Sequence, residues 1–142
     1  MSKEQNKALL SRVIKEVFNQ GKTSLIDELF APGFVEHEEP PPGMPPGREG
    51  VKQIVSLFRS AFPDLKVKID DTIADGDKVV IRSTWSGTHK GEFMGIAPTG
   101  KSVSFGVIDI VRFAGGKIVE HWGQMDAMRM MQQLGAVSRP AA

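Results

Sequence analysis

Asp126 closes the stretch KIVEHWGQMD, residues 117–126, and AMRMMQQLG follows at once. A carboxylate at the end of a strand can act as a general base. Having taken a proton, the same group can return it as a general acid. An ordinary aspartate, with a pKa of about 3.9, is too weak a base for this. An apolar pocket raises that value by withdrawing water from the charged form. Trp122, Met125 and Met128 are close enough in sequence to supply such walls. The same residue has a second reading, because aspartate at a strand-to-helix junction is a favoured helix N-cap.

Alternation along a strand sorts the neighbours of Asp126. Gln124 and Trp122 share its parity, whereas His121, Gly123 and Met125 have the other. If Asp126 faces a pocket, Gln124 and the Trp122 indole become hydrogen-bond donors to a substrate oxygen. His121 then faces solvent or a partner subunit, unless a bulge near Gly123 reverses the count. Asp109 interrupts the apolar strand GVIDIVRF and needs a partner, with Arg82 and Arg112 as candidates. It is a second candidate pocket carboxylate.

The three histidines, His37, His89 and His121, have no i, i+4 pair and no HExxH pattern, so no metal site is expected. His37, ahead of two glutamates and a proline run, reads either as an exposed loop residue or as a pocket wall. His89 reads as structural or as part of the rim. GTHKGEFMG and APTGK lack the spacing of a phosphate-binding loop. Phe93 and Met94 within that connection are suited to covering a flat apolar ligand.

These residues need a scaffold. Leu10, Val13, Ile14, Val17 and Phe18 repeat at helical spacing, behind a Ser2/Gln5 capping box and ahead of Gly21. LIDELF makes a second, short helix that Pro32 ends, and GFVEH is extended. EEPPPGMPPG, residues 38–47, has five prolines and two glycines, which excludes a helix and gives a stiff rim or lid segment. Val51 to Phe62 form a third helix. The period then changes to two: LKVKIDDTI, KVVIRSTWSGTH, SVSFGVIDIVRF and KIVEHWGQM read as strands of an antiparallel meander. A helix with Gly135 as its stop closes the chain. Helices followed by a meander predict an α+β domain over residues 1–142. N-terminal helices pack on one face of a curved antiparallel sheet, with a pocket between.

The chain has 142 residues, a net charge of +1, no cysteine and no tyrosine. Disulfide and thiolate chemistry are excluded, and no nucleic-acid footprint is implied. No apolar run approaches the roughly 20 residues of a membrane span. The charged, amphipathic start does not resemble a signal peptide, so a cytoplasmic location is expected.

FVEH, AFPDLKVKIDD, GTHKGEFMGIAPTGK, IDIVRFAGGKIVEHWGQMD and MMQQLG, in this order, resemble the SnoaL-like polyketide cyclases, or ester cyclases. These belong to the nuclear transport factor 2-like superfamily, with its cystatin-like α+β cone. The resemblance implies an intramolecular aldol ring closure on an apolar carbonyl or ester substrate, without metal or cofactor. It implies Asp126 as the catalytic residue, His37 in the pocket, and a homodimer through the outer sheet face. A non-catalytic small-molecule-binding or dimerisation module of the same fold is the alternative. An epoxide hydrolase-like site from Asp109, Arg112 and Asp126 is a further one, although Asp109 and Arg112 differ in parity. The absent tyrosine excludes ketosteroid isomerase machinery.

Overall fold

The computed structural model describes residues 2–137, so the first residue and 138–142 of the expected domain lie outside it. Helix α1 (Lys3–Arg12) opens with the predicted capping box. Ser2 Oγ accepts the Gln5 N–H at 3.1 Å, and Gln5 Oε1 accepts the Ser2 N–H at 2.9 Å. The helix runs into a π-helical stretch, Val13–Phe18, closed by a bond from Asn19 N–H to Ile14 O at 3.0 Å. Val13, Ile14 and Val17 are buried there. A short α2 (Leu25–Leu29) leads into β1 (Phe30–Glu36), and α3 spans Gly47–Ala61. Strands β2 (Lys66–Asp75), β3 (Lys78–Thr88), β4 (Ser102–Ala114) and β5 (Lys117–Met125) follow, then α4 (Ala127–Leu134).

The sheet order is β1-β5-β4-β3-β2. β2 to β5 form the predicted antiparallel meander. GFVEH, expected only to be extended, adds β1 to the edge in parallel with β5. That pairing brings residues 85 positions apart in sequence side by side.

One face of β4 is apolar: Val103, Phe105, Val107, Val111 and Phe113 are buried. The helices cover this face. Phe58 of α3 packs edge-on to Trp85 of β3 at 5.1 Å and against Phe93 at 5.3 Å between ring centroids. Asn19 fixes the end of the first helical segment to the sheet edge. Its side chain donates to Val67 O at 3.0 Å and accepts from Val67 N–H at 2.7 Å. Arg59 of α3 donates to the Phe18 and Asn19 carbonyls, both at 2.9 Å, which joins the two helical layers. Such paired polar contacts fix a geometry that apolar packing leaves adjustable. The α+β architecture is therefore as expected, with helices on the concave side of a curved, unclosed sheet.

Candidate active site

A cavity of about 1010 Å³ lies between the concave sheet face and the helices. Its floor is aromatic, with Phe18, Phe58, Trp85 and Phe93. Pro40, Pro41, Pro42, Pro45 and Pro46 line its mouth, so the stiff segment expected to be a rim is one. Met94, half exposed and at a φ of 47°, also lines the cavity.

The polar end of the cavity is built on His121. Its Nδ1 donates to Glu36 Oε2 at 2.5 Å, and its Nε2 donates to Asp109 Oδ1 at 2.6 Å. Two donating nitrogens require the imidazolium. Burial opposes that charge, but the bonds to Asp109 and Glu36 outweigh it and push the pKa up to about 10. Asp109 thus finds its partner in His121. The two arginines considered for it go elsewhere: Arg82 to Asp70, and Arg112 to Glu120 on the outer face.

Glu38 completes the cluster. Its carboxylate lies within 4.8 Å of the Glu36 carboxylate and a His121 nitrogen. It accepts no hydrogen bond among the described residues. Burial pushes its carboxyl above the ordinary range; Glu36 and Asp109 add to this, and the His121 charge opposes it. Gly123, paired with Asp109 across the β4–β5 ladder, makes room for the group. A Cβ at that position would stand 2.6 Å from Glu38 Oε2 and 2.9 Å from His121 Cε1.

Spacing along the chain shows no metal-ligand set, whereas folding gathers Glu36, Glu38 and His121 from β1, the loop after it and β5. A cation there would have to replace the proton that His121 Nδ1 gives to Glu36.

Of the two readings of Asp126, the structure shows the helix cap. Its carboxylate is exposed and accepts the Arg129 N–H at 3.2 Å as the N-cap of α4, and it is not among the residues lining the cavity. The parity of β5 is the reverse of the expected one. The register shifts between Arg112↔Glu120 and Phe113↔Ile118, which leaves Val119 as an extra residue. An unbroken alternation from buried Ile118 would point residues 120, 122 and 124 inward. The bulge at Val119 turns His121, Gly123 and Met125 inward instead.

Trp122 and Gln124 still border the cavity, with His37, Asp109, Phe93 and Met94. The Trp122 ring lies on the outer face, under Lys78 Nζ at 5.4 Å. Stacked on it at 4.6 Å is His37, which also bonds Glu120 at 2.8 Å. Asp109 faces inward, Arg112 outward and Asp126 caps α4, so the three do not converge on one water. His89 is fully buried, accepts the Thr99 N–H at 3.2 Å and is structural, as expected.

Since Asp126 is a cap, Asp126→Ala is expected to cost about 1 kcal/mol of stability. Turnover on any substrate should be unchanged. A thermal melt and a rate on the same sample check this. A folded variant without activity would return Asp126 to the chemistry.

The SnoaL-like polyketide cyclase family model matches residues 8–134. The nogalonic acid methyl ester cyclase of Streptomyces nogalater is 27% identical over 122 residues, covering 83% of this chain and 89% of that protein. Among solved structures, TsrD from Streptomyces laurentii superposes with a TM-score of 0.86 at 30% identity, over 96% of this chain and 99% of its own. IdmH from Streptomyces antibioticus, described as a proposed polyketide cyclase, gives a TM-score of 0.77 at 34% identity, over 91% of this chain and 97% of its own. Among the described residues, no helix is long and apolar enough to cross a membrane.

Proposed function

Because the chain belongs to the SnoaL-like polyketide cyclase family, we propose that it closes a ring in an apolar carbonyl compound by an intramolecular aldol reaction, with Glu38 as the carboxyl group that moves the proton. The observation that carries this reading is a half-buried carboxyl group, free of hydrogen bonds among the described residues and raised in pKa by burial, at the polar end of an apolar cavity.

Ionised Glu38 takes a proton from a carbon flanked by carbonyls. The resulting enolate carbon attacks a second carbonyl carbon in the same molecule and forms the new C–C bond. The alkoxide left on that carbonyl takes the proton back from the Glu38 carboxylic acid. Substrate and product are isomers, and the enzyme ends as it began. A raised pKa makes Glu38 a stronger base than an ordinary glutamate, yet leaves it able to release the proton. His121 touches neither reacting atom in this scheme. It is a positioning residue, whose charge holds Glu36 and Asp109 in place beside Glu38.

The test is incubation with a panel of neutral keto esters in heavy water. Deuterium uptake at the activated carbon, and a cyclic product isomeric with the substrate, are the expected results. Ligands that bind and come back unexchanged would instead support the non-catalytic binding module.

A homodimer through the outer sheet face belongs to the same reading. Ile73 and Ile108 are 58% and 49% exposed there, beside Val80, Ile110 and Trp122. Sedimentation velocity should give twice the chain mass, and Ile108→Glu should shift it to the monomer. A monomeric wild type would end this part of the proposal.

A further inference from the structure

The cavity is unevenly charged for a site that must generate an enolate. Glu36, Glu38, Glu39 and Asp109 line it, and no lysine or arginine does among the described residues. His121 is the positive group of the cluster, and both its N–H donors are committed to carboxylates. The cluster therefore stays negative even with Glu38 protonated. A negative cavity repels a substrate carboxylate or phosphate, and it opposes the charge that develops when a carbon acid is deprotonated. A substrate that brings its own positive charge removes both problems.

Two further features suit such a ligand. Among the described residues, no hydrogen-bond donor occupies Glu36 Oε1 or Asp109 Oδ2. The aromatic residues Phe18, Phe58 and Trp85 line the same cavity, and an aromatic wall tolerates a cation better than an aliphatic one.

We propose that the cavity selects apolar carbonyl compounds that carry a basic nitrogen, with the protonated amine seated against the Glu36 and Asp109 carboxylates. The inference rests on the reading of this cavity as the substrate site, and it names the class of compound the site takes. Discrimination comes from both signs. The carboxylates attract the ammonium, and they reject an anionic analogue of the same shape.

Calorimetric titration with three probes of one shape tests it: 1-naphthylmethylamine, 1-naphthylmethanol and 1-naphthoic acid, at pH 7 and low salt. The amine is expected to bind at least tenfold tighter than the alcohol, and the acid more weakly than either. Asp109→Asn and Glu36→Gln should each remove most of the amine's advantage while leaving the alcohol's affinity in place, which also shows that the variant is folded. Equal binding of the three probes overturns the proposal. So does an amine preference that survives both substitutions, because it then comes from surface carboxylates. Turnover of a neutral ester without amine preference overturns this inference alone and leaves the cyclase reading standing. Amine-selective binding without turnover of any keto ester does the reverse.

Discussion

Glu38→Gln is expected to abolish turnover, by a factor of about 10² to 10⁴, without loosening the fold. Glutamine keeps the shape and cannot take the proton. Burial, reinforced by Glu36 and Asp109, raises the Glu38 carboxyl. The sign follows for stability. A raised folded-state pKa means that the folded protein holds this proton more tightly than the unfolded chain. Stability linked to it is present at low pH and is lost as pH rises through the folded value. The glutamine variant escapes that loss, so its melting temperature should match or exceed the wild type at neutral pH. The advantage should shrink towards pH 4. In the wild type, the rate should rise with pH along a limb set above the ordinary glutamate range. An inactive variant that also melts early would show a structural role instead. A fully active variant would remove Glu38 from the chemistry.

His121→Asn carries the largest expected effect on stability. It leaves Glu36, Glu38 and Asp109 facing one another with no cation among them. Breaking a largely buried ion pair by removing one partner costs about 3 kcal/mol or more. The His121 pKa is raised to about 10 against an ordinary value of 6.5. Stability from its proton is therefore complete below pH 6.5 and is lost as pH rises through about 10. The gap between wild type and variant should be widest below pH 6.5 and should narrow steadily to pH 10. Urea denaturation at intervals across that window measures it. A gap independent of pH would mean that His121 contributes packing rather than charge.

Much of the scaffold was legible in the chain because it is written in local periods. Leu10, Val13, Ile14 and Val17 at helical spacing are buried, and so are Val55 and Phe58 of α3. The alternation of β4 also survives, with Asp109 as its polar interruption, and the need for a partner to that carboxylate was visible from sequence. What the chain did not reveal was non-local. Glu36 meets His121 across 85 positions because β1 pairs in parallel with β5, and no local pattern announces a parallel edge strand. The bulge at Val119 has no glycine or proline to mark it, and it exchanges the two faces of β5. That one extra residue accounts for the exchange of His121 with Trp122 and Gln124. Glu38 had no local signal that set it apart, since Glu39 stands ahead of the same proline run and is exposed. Gly123 could be recognised only with its neighbours in view.

Glu38 lies immediately ahead of the proline run whose members line the cavity mouth. Each proline fixes its own φ, so the run holds one shape at little entropic cost. If Glu38 is the proposed base, that rigidity has a second use: a looser opening would admit more water, and a hydrated carboxyl falls back towards the ordinary glutamate range. The prolines would then insulate the proton carrier as well as frame the entrance.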